Sequence, residues 1–208
     1  MKFLKQQYCE TFAFLRGPLR PFLRNTCIAF FVIYLIFLVS GLFSSAVLDM
    51  LTAYMRNVVE NAQIVNQDGG IDALRILSNN LRAAFLSIAY GLFPFLYLPA
   101  MAIGVNAAML GGVTALYQVH GQSMAYLAAG LLPHGIIEIP TLLIAFACGL
   151  YLCHEVTARF RKQEEPPVPF SQTLFSLVRV YLTIITPALI VASLLEAYVT
   201  PLCMAMFQ

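Results

Sequence analysis

The sequence predicts an all-α polytopic membrane protein, a single integral membrane domain (1–208) of about five transmembrane helices with an amino-terminal interfacial amphipathic helix. Hydrophobic residues make up 60% of the 208 residues and charged residues only 11%, and the mean hydropathy is +0.80. Soluble domains carry about 25% charged residues, so this composition excludes a soluble globular domain. The basic residues cluster beside apolar runs and not on one periodic face, so we expect no nucleic-acid binding.

Residues 1–25 are predicted to be a cytoplasmic amphipathic segment. Leu4, Tyr8, Phe12 and Leu15 recur at helical spacing, and cations occupy the rest of the helix surface. A helix of this kind lies on the membrane with its apolar face in the lipid interface. We therefore expect the bilayer itself to be a partner of this segment.

An uncharged run over residues 26–48 is long enough to form the first transmembrane helix. Residues 49–80 are more polar and are predicted to form an extracytoplasmic helical hairpin that turns at 68–70. Asn79 or Asn80 is expected to cap the helix that follows. A hairpin of this length is too short to be an independent catalytic domain.

The stretch after Arg82 carries no charge up to residue 119. As one straight helix it would run about 57 Å, nearly twice the thickness of a hydrocarbon core, and Pro94 and Pro99 lie in its middle. Two spans, residues 82–98 and 100–118, are therefore predicted.

The third predicted span carries small residues at the spacing that lets helices approach closely. Asn106 in the same span is expected to be a buried polar contact to a neighbouring helix and not a catalytic group. Small-residue contacts of this kind form within one chain or between chains, so a homo-oligomer is one possible use of them. The predicted packing residues are Gly104, Ala108, Gly111 and Gly112.

The run 131–151 is apolar enough for a membrane span but carries His134 and Glu138, one turn apart on one helix face. An ionised carboxylate in hydrocarbon is costly, so this pair is expected to face the bundle interior and is the first candidate for a functional site. Pro133 and Pro140 remove backbone donors, so the helix must kink, break or begin here. The alternative is a pair that only holds one helix against its neighbours.

The whole fourth apolar segment, residues 124–153, would be about 45 Å long and exceeds one straight span. A break near Pro133 would separate a re-entrant piece, 124–133, from a span that begins at His134. The alternative is one continuous kinked helix. In the continuous version Glu138 lies near the midplane, and in the broken version it lies near the outer face.

Residues 154–179 are charged and are predicted to form a cytoplasmic loop. The last apolar run, 180–203, carries Pro187 and a second intramembrane acid, Glu196. Five Lys and Arg residues lie in 1–25 and four in 154–179, so these segments hold nine of the twelve. The positive-inside rule then places the amino terminus in the cytoplasm and, with five spans, the carboxyl terminus outside.

The segment LPHGIIEIP (132–140), followed by Gly149-Leu150, resembles the signature of the stage II sporulation protein M family. Asn79-Asn80 and the small residues of the third span add to the resemblance, which covers nearly the whole chain. One departure is Cys153, where the family pattern usually has glycine. The resemblance implies a five-span protein of the bacterial plasma membrane with His134, Gly135 and Glu138 as its motif positions.

The resemblance also implies a function. The named member is a non-enzymatic scaffold that acts with membrane-anchored cell-wall hydrolases when the forespore is engulfed. The family is distantly similar to permease subunits of ABC exporters, so the alternative is a permease paired with a separate ATPase, since this chain has no P-loop.

A third hypothesis, an intramembrane metalloenzyme, is disfavoured. His134 and Glu138 supply two ligands, whereas a catalytic zinc usually has three. Only Glu196, His120 or His154 could complete the set through folding. We therefore expect no catalytic residue, no cofactor and no metal.

Overall fold

Helices make up nearly all of the described chain. The computed structural model describes residues 2–62, 72–161 and 169–207, and in these ranges it contains helices and no strand. The predicted turn at 68–70 lies outside the described residues. The α-helices are α1 (Lys2–Arg16), α2 (Arg20–Phe43), α3 (Ser45–Ala62), α4 (Ala73–Ala89), α5 (Leu98–Val119), α6 (Met124–Phe160), α7 (Phe170–Val180), α8 (Thr186–Leu194) and α9 (Thr200–Ala205).

Four helical stretches are long and apolar enough to cross a membrane: α2, α5, α6 and the continuous run Phe170–Ala205. They confirm the predicted polytopic helix bundle. The predicted second span, residues 82–98, is the end of α4 followed by two 3₁₀ turns, Tyr90–Leu92 and Pro94–Leu96. With 17 residues, α4 is shorter than the roughly 20 residues that cross a bilayer as a helix.

The start of α4 differs from the prediction. Asp72 caps this helix, and its carboxylate accepts a hydrogen bond from the backbone N–H of Leu74 at 2.9 Å. The expected caps Asn79 and Asn80 lie inside α4, so that prediction is wrong. Aspartate and asparagine are equally good N-caps. Because Asp72 takes this role, the helix begins several residues before the position that we predicted.

The polar segments also contain more helix than predicted. The first arm of the predicted hairpin, α3, begins at Ser45 directly after a single extended residue, Ser44. Helices α6 and α7 extend into the predicted loop 154–179 from both sides. Arg159 therefore lies on the last turn of α6 and not in a loop.

α6 is one continuous helix of 37 residues that contains both Pro133 and Pro140. Of the two alternatives left open by the sequence, the continuous helix is the one observed, and there is no break near Pro133 and no re-entrant piece over 124–133. A proline removes one backbone hydrogen bond, whereas a full break in hydrocarbon would leave several groups without partners. The continuous helix is the arrangement with fewer unsatisfied groups.

α2 and α5 pack side by side and run parallel. A Cβ atom placed on Gly111 would meet the backbone of Tyr34 and Leu38, and one placed on Gly41 would meet the Cβ of Ala115. Because the residue numbers rise together on both helices, the chain between them must return to the starting end of α2. Such close approach is possible because glycine and alanine occupy the interface.

α4 provides this return. It packs alongside α6, and its direction is opposite to that of α5. A Cβ atom on Gly149 would collide with the backbone carbonyl of Ser87, and one on Gly91 would meet the Cβ of Leu152 at 2.8 Å. The 3₁₀ turns then lead to Pro99, which lies beside Gly149. α4 thus takes the place of the predicted second span.

The run α7–α9 returns along α6, and the chain termini lie at opposite ends of the bundle. At one end Glu10 of α1 pairs with Arg179, and the Thr11 hydroxyl lies 3.0 Å from that of Thr183. At the other end, Met204 lies where a Cβ on Gly130 would point. The membrane side of each end stays a prediction.

The predicted packing residues of α5 divide into two groups. Ala108 is buried, Gly111 contacts α2, and a Cβ on Gly112 would meet Leu51 of α3 at 2.6 Å. A Cβ on Gly104, in contrast, would have nothing within 4 Å. Gly104 therefore packs against no other helix within the described chain, and a contact between chains at this position stays a prediction.

Asn106 is also not the interhelical contact that we expected. Its side chain is exposed, and its amide nitrogen donates to the carbonyl of Ala102 in the same helix at 2.9 Å. A side chain that satisfies its own helix in this way needs no neighbour.

We predict that Gly149→Ala destabilises the protein by about 1–3 kcal/mol, because the added methyl group forces α4 and α6 apart. Gly104→Ala is the matched control, and it should be neutral or gain up to about 1 kcal/mol from helix propensity. The measurement is thermal unfolding of the detergent-purified proteins. Equal effects of the two substitutions would contradict the close contact at Gly149.

Candidate functional site

His134, Glu138 and Glu196 come together inside the bundle. One ligand atom from each, an imidazole nitrogen or a carboxylate oxygen, lies within 4.8 Å of the others. All three side chains are half-buried. The predicted pair on α6 is therefore joined by the second predicted intramembrane acid, which lies 58 residues away along the chain.

The antiparallel packing of α6 against the last helical run produces this meeting. Going one way along α6, Gly130 lies beside Met204, His134 beside Thr200 and Glu138 near Glu196. Each step is about one helical turn, so the facing side chains stay in register. The i, i+4 spacing in the sequence thus becomes a ladder between two helices.

Two π-helical segments, Tyr181–Ile185 and Leu195–Val199, interrupt the last run. Each one is followed directly by a Thr-Pro pair, Thr186-Pro187 and Thr200-Pro201. A proline cannot donate to the carbonyl one turn earlier, and its ring crowds that carbonyl, which favours a wider turn. Glu196 lies within the second wide turn.

Thr200 fixes the histidine. Its hydroxyl donates to the carbonyl of Leu195 at 3.2 Å, and Nδ1 of His134 lies 3.2 Å from the same hydroxyl oxygen. Because the hydroxyl has a single proton, both hydrogen bonds form together only in the tautomer that carries a proton on Nδ1 of His134. Nε2 of the neutral ring then carries the free lone pair.

His134 and Glu138 line a cleft of about 220 Å³ between α2, α5 and α6. Asn106 is the third polar side chain of the wall, and the remaining lining residues are apolar. Gly135 faces the same cleft, where its missing side chain leaves space beside the histidine. A polar group at this cleft is therefore within reach of a small ligand.

The two carboxylates have no cationic partner in the described part of the chain. The ion pairs found there join other acids to arginine or histidine, and none includes Glu138 or Glu196. Two half-buried carboxylates in a membrane bundle are costly unless a proton or a bound cation neutralises them. This charge imbalance is the main chemical property of the site.

The other predicted residues stay outside the cluster. Pro133 is half-buried and Pro140 is exposed. Both lie inside α6, and neither offers a polar side-chain atom to the cluster. His120 is exposed and bonds its own helix, and His154 lies beside Glu155 at the far end of α6. Of the three residues that could complete a ligand set, folding selects Glu196.

Sequence reasoning missed Thr200 and Glu155. The repeated Thr-Pro pair was the signal for Thr200. Glu155 is 7% exposed, and its carboxylate accepts a hydrogen bond from Arg159 at 2.9 Å, an i, i+4 pair that the sequence displays. The latter pair belongs to the end of the bundle that α1 covers, away from the cluster.

Comparison with known proteins identifies a family. A family profile described as Stage II sporulation protein M matches residues 27–201. One uncharacterized protein of Methanocaldococcus jannaschii is 32% identical over 130 residues, 61% of this chain and 69% of that protein. A second from the same organism is 35% identical over 103 residues, 49% of this chain and 44% of its own length. No solved structure gives a significant match.

We predict that Thr200→Val lowers stability by about 1 kcal/mol, because it removes the hydroxyl that serves both His134 and Leu195. Thr186→Val is a matched control in the other Thr-Pro pair, since the buried Thr186 hydroxyl makes no hydrogen bond with the described residues. That substitution should leave stability unchanged or raise it. Thermal unfolding in one detergent compares the two, and a larger loss in Thr186→Val would contradict the assignment.

Proposed function

Because the chain belongs to the stage II sporulation protein M family, we propose that it is a non-enzymatic membrane scaffold of a cell-envelope complex. The family match confirms the resemblance that the segment LPHGIIEIP indicated. In this proposal the protein recruits membrane-anchored peptidoglycan hydrolases, as the resemblance implies for engulfment of a forespore. The names of the two curated relatives attach no function to them, so the proposal needs its own support from geometry.

The supporting observation is the way α3 is mounted. Leu48 and Leu51 are 6% and 5% exposed and pack on Gly41 and Gly112 at one end of the bundle. Other side chains of α3 are open: Met50 is 59% exposed, and Tyr54, one turn after Leu51 at the edge of the buried face, is 47% exposed. A helix held by one face and free on the other is a suitable docking element for another membrane protein.

The expected extracytoplasmic position of α3 also supports this role. α3 lies at the end of the bundle opposite to α1 and to the basic last turn of α6. The positive-inside rule predicts the basic end to be cytoplasmic, which puts α3 outside, next to the cell wall. A cell-wall hydrolase anchored in the same membrane could reach it there.

A second candidate is a permease subunit that works with a separate ATPase. The observation that favours it is the cleft that carries His134 and Glu138 inside a bundle whose helices contain prolines and π-helical turns. Intramembrane acids and discontinuous helices are common in transport pathways. In this case Glu138→Gln should abolish transport while the complex still assembles.

We predict that the tagged protein, purified from its native membranes in mild detergent, brings cell-wall hydrolases with it. Tyr54→Ala should reduce the recovered hydrolase tenfold or more, because exposed aromatic side chains dominate interface energies. The measurement is quantitative mass spectrometry of the purified complex.

Tyr8→Ala is the matched control for this experiment. Tyr8 is 42% exposed on α1, at the other end of the bundle, so its loss should leave the recovery unchanged. Hydrolase recovery that is equal in the two variants would contradict α3 as the docking element. Recovery of an ABC-type ATPase in place of hydrolases would contradict the scaffold and favour the permease.

A further inference from the structure

We propose that His134, Glu138 and Glu196 bind one divalent transition-metal ion of the zinc class. The expectation of no metal rested on the lack of a third ligand, and Glu196 supplies that ligand. The inference goes beyond the scaffold and permease roles and does not depend on either. It rests on donor type, distances, charge and the hydrogen bond to His134.

The donor set suits zinc better than a hard cation. One imidazole nitrogen and two carboxylate oxygens are ordinary zinc ligands, with bond lengths of about 2.0–2.2 Å. Calcium and magnesium take six or more oxygen ligands, and apart from Glu138 the cleft wall offers only the side-chain amide oxygen of Asn106. The site therefore selects for a borderline metal through ligand number and type.

The distances are compatible with closure around an ion. Tetrahedral ligands at zinc bond lengths lie about 3.4 Å apart. The three ligand atoms lie within 4.8 Å of one another, so they must approach by at most about 1.4 Å. Glutamate side chains on two packed helices can supply this through rotamer changes without a shift of the backbone.

The charge of the site favours a divalent ion. Glu138 and Glu196 have no cationic partner in the part of the chain that the structure describes. A bound divalent ion with a neutral imidazole makes the three-residue set electrically neutral. Neutrality is what the low-dielectric surroundings of a membrane bundle require.

Thr200 prepares the histidine for this role. Its hydroxyl, oriented by the carbonyl of Leu195, accepts from Nδ1–H of His134 and leaves the Nε2 lone pair free. Metal-binding histidines commonly have such an outer partner on the other ring nitrogen. Thr200 is therefore a positioning residue for the site.

The cleft leaves room for a fourth ligand. Three protein ligands leave one position open on a tetrahedral ion, and His134 and Glu138 both line the cleft. Water or an oxygen donor of a small ligand could enter from that side. The site is thus of the open type and not a closed structural one.

The test uses the full-length protein in detergent micelles, stripped with a chelator and titrated with Zn²⁺ alone. We expect one tightly bound zinc per chain by elemental analysis after desalting, and a visible Co²⁺ spectrum typical of four ligands on substitution. Affinity should fall at least tenfold in His134→Ala and in Glu196→Gln, and about tenfold in Thr200→Val. Each variant is first shown to elute in size-exclusion chromatography as the wild type does.

His120→Ala and Glu10→Gln are the matched controls, since each removes the same residue type outside the cluster, and both should keep the wild-type affinity. Absence of zinc from the folded wild type would overturn the proposal and indicate that protons neutralise the acids. Zinc retained at full affinity in both cluster variants would also overturn it.

Discussion

The constraint on which this structure depends is that hydrocarbon offers no hydrogen-bond partners and no counter-charges. Many polar side chains are satisfied within their own helices. Thr141, Thr157 and Ser193 each donate to the carbonyl four residues earlier, and Asn106 does the same with its amide. Against this background, two acids without a cation in the described part of the chain are conspicuous.

α6 connects the parts of the molecule along its length. Its first half carries His134 and Glu138 at the cleft, and its last third packs on α4 through Gly149. Two residues further on, Tyr151 makes edge-on contact with the rings of Phe14 and Phe22. The contact with α1, the close-packed core and the cluster of His134 and Glu138 thus all lie on one continuous helix.

Local signals predicted much of this fold, because helices α1, α2 and α5 follow from apolar runs and spacing. The His134–Glu138 pair follows likewise from i, i+4 geometry. The third group, Glu196, could not be assigned to the pair, because its position depends on antiparallel packing and on a widened turn. Gly104 and Gly112 belong to the same spacing pattern in the sequence. They differ in the structure because another helix of the described chain lies beside Gly112 and none lies beside Gly104. The choice between a break and a continuous helix at Pro133 could not be made from the sequence, because the cost of opening a helix in lipid is not visible in a local pattern.

The π-helical turn at Tyr181–Ile185 has a consequence for how related chains should be aligned. A widened turn holds about one residue more than an α-helical turn, and one residue corresponds to about 100° of rotation. Deleting a single residue there would turn Glu196 to a different face of its helix, although the composition of the segment would hardly change. One-residue gaps between Arg179 and Glu196 therefore carry geometric information. Such a gap in a relative would therefore bear directly on whether the same trio of side chains still meets.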